Sequence, residues 1–275
     1  MQRAIFITGC STGIGYTTAH QLSKHGFHVI ASCRKKEDVL RLQNEGLTCL
    51  HLDYSDSESI SLAVSELLAL TDGKLYALFN NGAYGQAGAL EDLPREALKE
   101  QFEANFFGWH QLVIELLPIM RKQGYGRIIQ NSSVLGIVAM KYRGAYNSSK
   151  FAIEGWSDTL RLELMQTNIQ ISLIEPGPIE TNFRSNALKA FKKWVTIENS
   201  PHKEKYLMQQ QRLEKEASGS AFVLPPESIM SPLLHALNSK KPKARYRVTF
   251  PTHLFAILKR LLPTKWLDMI LNKSD

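Results

Sequence analysis

Cysteine is scarce in this chain of 275 residues: Cys10, Cys33 and Cys49 are odd in number and show no metal-ligand spacing. That excludes a disulfide framework and a thiolate metal centre, and leaves three small buried residues in a reducing compartment. Long apolar runs are absent too, so nothing in the sequence is suited to crossing a bilayer. The first apolar run starts at Ala4, leaving no room for a signal peptide, and a cytoplasmic home is expected. Internal repeats and linkers are missing, which predicts a single domain over residues 1–275. Residues 1–239 lack net charge. The whole of the +7 lies in 240–275, where nine Lys or Arg face Asp268 and Asp275. Basicity confined to one tail is not a nucleic-acid surface. An apolar fraction of 44% is ample for a large core.

What is present begins with an apolar strand pattern, AIFIT at 4–8, then TGCSTGIG, then a helical pattern to His25. A strand, a glycine-rich turn and a helix open a dinucleotide-binding unit. Gly9 permits the tight turn, and Gly13 and Gly15 let cofactor and strand approach the helix, whose N-terminus is aimed at the pyrophosphate. The next strand, 27–34, ends in Cys33 and Arg34 with Lys35 and Lys36 following, where an NAD site would carry an acid. Cations there suit the 2′-phosphate of NADP(H). Their plainer reading, a solvated helix start, explains the lysines but not the missing acid. Asp53, after the third strand pattern, is either an acceptor for the adenine amino group or a helix N-cap, a role open also to Ser55 and Asp56. The fourth strand pattern runs into Asn80, Asn81, Gly82 and Ala83. Small residues there admit a flat ring, and the amides can equally lock strand ends together.

Asn105 interrupts an apolar helical stretch, EANFFGWHQL, as a satisfied buried amide or as a residue that bends the helix and holds a water near Lys150. GRIIQNSS reads as a buried strand delivering Ser132 and Ser133 to its C-terminal end. Thirteen residues past Ser133 stands Tyr146, and four further Lys150, on one face of an amphipathic helix over 143–164. A free phenol has a pKa of about 10, and a neighbouring cation lowers it into a useful range for acid–base work. A sixth strand ends at Pro176-Gly177-Pro178. Residues 184–219, polar with interspersed Leu188, Phe191, Trp194 and Tyr206, suit a substrate lid or a plain surface insertion. Residues 244–250 suggest an edge strand. Residues 251–275 form a basic helical extension broken at Pro263, either covering the sheet or an interface, or touching an acidic membrane surface.

Taken together, TGCSTGIG, Asp53, NNGA at 80–83, Asn105 in Asn-x-x-Gly, Ser133, Tyr146, Lys150 and PGPIET at 176–181 resemble the short-chain dehydrogenase/reductase family. ANFFGWHQL, RGAY, SLIEPGPI and KRLLP resemble its retinol and 17β-hydroxysteroid dehydrogenase branch, and within it a bacterial NADP-dependent aldehyde reductase. The resemblance implies an α/β Rossmann-type doubly wound parallel sheet and a reversible reduction of apolar aldehydes or ketones. The implied alternatives are a steroid or retinoid dehydrogenase and a catalytically idle NADP-binding sensor. It assigns proton exchange to Tyr146, ribose binding and pKa control to Lys150, oxygen binding to Ser133 with Ser132 as competitor, and a water to Asn105. Ser11, Thr12 and Arg34 would hold the 2′-phosphate. Ile14, Asp53, Asn81 and Ile179 would line the cofactor, with Thr181 on the carboxamide and Pro176 and Gly177 beside it. A homodimer or homotetramer is implied by analogy. One departure stands out: the family's Asn-Asn-Ala-Gly is here Asn-Asn-Gly-Ala, so Ala83 is expected to take over a glycine's conformation. The pocket is expected to draw on Val134, Leu135, Pro178, Phe183, Leu188 and Phe191.

Overall fold

Side chains alternate between the two faces of a strand, and the first strand shows it. Phe6 packs into one core cluster while Ile5 and Ile7 pack into another. The computed structural model describes residues 2–214 and 222–273. Seven strands, β1 Ala4–Ile7, β2 His28–Cys33, β3 Thr48–His51, β4 Ala77–Asn80, β5 Gly126–Asn131, β6 Ile169–Glu175 and β7 Arg245–Arg247, form one sheet in the order β3-β2-β1-β4-β5-β6-β7. Every pairing is parallel. A parallel sheet buries both faces, and the near-continuous apolar runs of β1, β2 and β6 meet that demand.

Helices α1 Gly13–Lys24, α2 Lys36–Asn44, α3 Ser57–Leu70, α4 Arg95–Phe102, α5 Gly108–Gln123, α6 Gly144–Glu163, α7 Phe183–Trp194, α8 Lys203–Glu214, α9 Met230–Asn238, α10 Phe250–Leu261 and α11 Thr264–Asn272 complete the described residues. One core cluster sets Phe6, Leu78 and Ile128 against α3, α5 and α6. The other sets Ile5, Ile7 and Ile129 against α1, α2 and α9. This is the doubly wound sheet expected. Because the chain leaves β1 toward β2 and later returns to β4 on the other side, a crevice opens between the ends of β1 and β4, where such sheets bind ligands.

Two expectations gain detail. The expected lid resolves into α7 and α8, with 215–219 outside the described residues. The extension is two short helices that stop and restart around Pro263, as its position predicts.

Candidate active site

The ends of β1 and β4 are laced together by side chains. Thr8 Oγ1 accepts from the backbone N–H of Asn81 at 2.9 Å and of Gly82 at 3.2 Å. Asn81 Nδ2 donates to the carbonyls of Thr8 and Gly9, at 3.0 and 3.3 Å. Asn131, ending β5, donates to Asn81 Oδ1 at 2.8 Å. Gly9 (φ +67°) backs directly onto Gly82, leaving no room for a side chain between them. A Cβ on Gly13 would lie 2.7 Å from Thr181, so the turn after β1 also abuts the turn after β6.

Thr12 is the N-cap of α1 but makes no side-chain cap bond, and the first turn of α1 carries no acid. Its N–H groups are therefore left pointing outward, the arrangement that receives a phosphate. At the end of β2, Arg34, Lys35 and Lys36 are exposed, and Lys35 caps α2. Asp56, not Asp53, is the N-cap of α3, accepting from Glu58 and Ser59. Asp53 accepts only from Ser55 N–H, at 3.0 Å, which leaves carboxylate capacity for a ligand.

On the other side of the crevice, α6 presents Tyr146 and Lys150, both buried. Lys150 Nζ donates to the Asn131 carbonyl at 2.7 Å, and lies 4.4 Å from the centre of the Trp109 ring and 5.7 Å from that of Tyr146. Burial pushes its ammonium down to about 7, with Glu154 one turn along acting in the opposite sense. Burial pushes the Tyr146 phenol up to about 12, while the Ser133 hydroxyl and the Arg143 charge pull the other way. The expected lowering by Lys150 is not what acts on the phenol: the pull comes from Ser133 and Arg143, and removing the phenol from water costs the phenolate more than these two return. Ser133 Oγ accepts the Leu135 N–H at 3.1 Å, so its own hydrogen is free to donate. Its competitor Ser132 donates to the buried Glu154 carboxylate.

Asn105 sits in a π-helical segment, Glu103–Phe107, between α4 and α5. Its amide clasps the backbone of Tyr84, accepting from N–H at 3.2 Å and donating to the carbonyl at 2.9 Å, and it reaches Ser149 Oγ at 3.2 Å. Both amide hydrogens are thus committed. A π-turn shifts the backbone bonding register, a feature concentrated at functional sites.

The substrate side is apolar. Tyr146 packs edge-on against Phe183 at 5.2 Å between ring centres, within a cluster that includes Val134, Leu135 and Val138. Gly85 makes this possible, since a Cβ there would lie 2.6 Å from the Phe183 ring.

The family model described as short chain dehydrogenase matches residues 3–191. The chain belongs to the short-chain dehydrogenase family. Similar proteins include an uncharacterized oxidoreductase, YbbO, of Escherichia coli strain K12, 44% identical over 99% of this chain and 95% of that one. An NADPH-dependent 3-dehydrocapnine reductase of Ornithobacterium rhinotracheale is 32% identical over 99% and 97%. The 17-beta-hydroxysteroid dehydrogenase type 6 of Rattus norvegicus is 32% identical over 98% and 88%, in keeping with the resemblance to the retinol and steroid branch.

In this dehydrogenase the motif residues from Gly9 to Gly15, Asn81, Gly82 and Thr181 converge, as do Ser133, Tyr146 and Lys150. Pro176 accepts the Val134 N–H at 2.7 Å, joining the β6 exit to the Ser133 loop. Gly177 has room only for hydrogen beside Thr249, and Ile179 bridges to Leu224. Ile14 packs on the α1-side core.

The expectation for Ala83 is corrected. Neither Gly82 nor Ala83 adopts positive φ. Glycine stands at 82 for space: a Cβ would come 3.1 Å from the Tyr54 ring and 3.3 Å from Gly9. Tyr54 cannot yield, because its hydroxyl donates to Asn80 Oδ1 at 2.7 Å and lies 2.8 Å from Thr8 Oγ1. Phe191 is also corrected, from pocket lining to the contact between α7 and α8, where it packs on Tyr206.

Sequence reasoning missed three contributions. Arg41 reaches from α2 to the Ser11 carbonyl at 2.6 Å and braces the glycine-rich turn. Tyr54 sets the residue at 82. Phe255 and Leu267, from α10 and α11, join the wall around Tyr146. Only the last had a signal, the apolar stripe of the extension. Among the described residues no cluster of His, Cys, Asp and Glu is placed to bind a metal.

Proposed function

We propose that this enzyme reduces apolar aldehydes or ketones to alcohols with NADPH, reversibly. The observation that carries the reading is a buried, protonated phenol, Tyr146, set beside a free-hydrogen serine hydroxyl within an apolar wall. The uncapped N-terminus of α1, the glycine-only approach of Gly9 to Gly82 and the cations ending β2 fit a dinucleotide with a 2′-phosphate. The NADPH-dependent relative supports the same choice. NADPH bound there supplies the hydride that goes to the carbonyl carbon.

The chain's own residues handle the oxygen. Ser133 donates a hydrogen bond to it as negative charge develops. Tyr146 delivers the proton, and a phenol near 12 holds that proton across the neutral range. Lys150, fixed on the Asn131 carbonyl, is poised to hold the nicotinamide ribose. Val134, Leu135 and Phe183 exclude water and favour an apolar carbon skeleton. The reading includes a cytoplasmic enzyme that self-associates as a dimer or tetramer, supported by exposed Phe107, Ile114 and Leu162.

The test is NADPH oxidation, with NADH in parallel, against aldehydes and ketones graded in chain length and including a steroid ketone. Turnover of apolar aldehydes or ketones with NADPH is expected, and Tyr146→Phe should lower kcat about 10²–10⁴-fold. Undiminished turnover in Tyr146→Phe sinks the mechanism. Tight NADPH binding without turnover across the panel leaves the sensor reading.

A further inference from the structure

Helices α10 and α11 show different chemistry on their two sides. Inward, Phe255, Leu258, Leu262, Leu267 and Leu271 belong to the apolar cluster that contains Tyr146. Outward, α10 carries Leu254, Ile257 and Leu261 at helical spacing, and α11 carries Trp266 and Met269. Leu261 is 73% exposed, Trp266 57%, Ile257 53% and Met269 52%. Large apolar side chains scattered singly over a surface need no account, but five on two adjoining short helices make a patch that calls for a partner.

Charge says which partner. Residues 250–273 hold Lys259, Arg260, Lys265 and Lys273 against one carboxylate, Asp268. Lys259 is turned inward, bonded to the Ile137 carbonyl and lying over the Phe151 ring. Among the described residues no ion pair engages Arg260, Lys265 or Lys273. A second copy seated on this face across a two-fold axis would set one cation-rich face against another, whereas an acidic surface would neutralise the charge. Neither helix is long or apolar enough to cross a bilayer. Helices of this kind lie in the interfacial plane. Beside α11 runs an open groove of about 1320 Å³, bounded by Val138, Met140, Phe151, Leu267 and Met269, with Lys265 and Asp268 at its edge.

We propose that α10 and α11 seat the enzyme on an anionic lipid bilayer. The outer apolar stripe enters the boundary between headgroups and acyl chains, Arg260, Lys265 and Lys273 meet acidic headgroups, and the groove beside α11 opens toward the membrane. The binding step is independent of which carbonyl is reduced, and it is measured without substrate.

The experiment is flotation of the full chain with vesicles of phosphatidylglycerol and phosphatidylcholine, and with phosphatidylcholine alone. Wild type should float with the mixed vesicles, and raised salt should release it. Leu261→Ser with Trp266→Ser should cut the partition coefficient at least tenfold. Lys265→Gln with Lys273→Gln should cut it about tenfold, with the thermal melt unchanged in each. The charge variant keeps the test alive should the apolar variant fail to fold. Wild type that stays down with anionic vesicles, or variants that float as well as wild type, overturn the proposal. So does light scattering in which the Leu261/Trp266 variant converts a wild-type oligomer to a smaller one, because a second copy then covers this face.

Discussion

Lys150 carries a burial cost that its environment only partly offsets. Its ammonium bonds one carbonyl and lies over the Trp109 ring, yet burial still holds it near 7. Between pH 7 and the ordinary lysine value the unfolded chain binds a proton that the folded one does not, so this residue makes stability rise with pH across that window. Below pH 7 both states are charged and the full cost is present. Lys150→Met should therefore melt no lower than wild type at pH 6, and lose part of its advantage by pH 9, while turnover collapses. Strong destabilisation at both pH values would make Lys150 a structural post for Asn131 instead. Arg34 is tested at the same scale. Arg34→Ala should raise KM for NADPH at least about tenfold and leave KM for NADH nearly unchanged; parallel losses with both cofactors count against a 2′-phosphate site there. The pairing of Tyr146 with Lys150 was legible in sequence because helix periodicity dictates it, and Ser133 because the family resemblance points to it. The Tyr146 pKa was not, because burial is a property of the folded surroundings.

Among elements, the join between β1 and β4 shows what a one-dimensional reading can and cannot see. Asn-Asn-Gly-Ala is visible as a departure, but its cause lies twenty-eight residues upstream in Tyr54, whose ring fills the space beside position 82. Gly82→Ala should cost about 1–2 kcal/mol of stability. In a double-mutant cycle, Tyr54→Val should recover part of that cost at position 82; strictly additive effects would deny the contact. The helical stretch around Asn105 was likewise legible as a helix but not in form. Asn105 was readable as a residue that bends the helix, but the π-turn itself goes with its bonds to Tyr84 and Ser149 across elements.

For the molecule as a whole, the alternation of apolar runs with helices anticipates all seven strands, while their doubly wound order came from the family resemblance. Charge at the far margin was not anticipated. Arg245 reaches Glu154 at 3.0 Å, Asp158 at 2.8 Å and Glu175 at 3.1 Å, the last without hydrogen-bond alignment. Burial, then the Glu154 charge, pushes Glu175 up to about 7 against the pull of Arg245 and Arg247. Arg245→Leu takes a cation away from two buried carboxylates and should destabilise by about 3–5 kcal/mol at pH 8, less at pH 5, where Glu175 is protonated. A melt indifferent to both the substitution and pH would show that the cluster contributes nothing.

The same margin has a consequence for crowded solutions. β7 is three residues long, and the opposite border, β3, is four. A foreign strand finds few free backbone groups at either border, and at one of them it meets arginines already engaged with carboxylates. Extension of the sheet from molecule to molecule is thereby disfavoured at both borders, so parallel pairing is kept within one molecule.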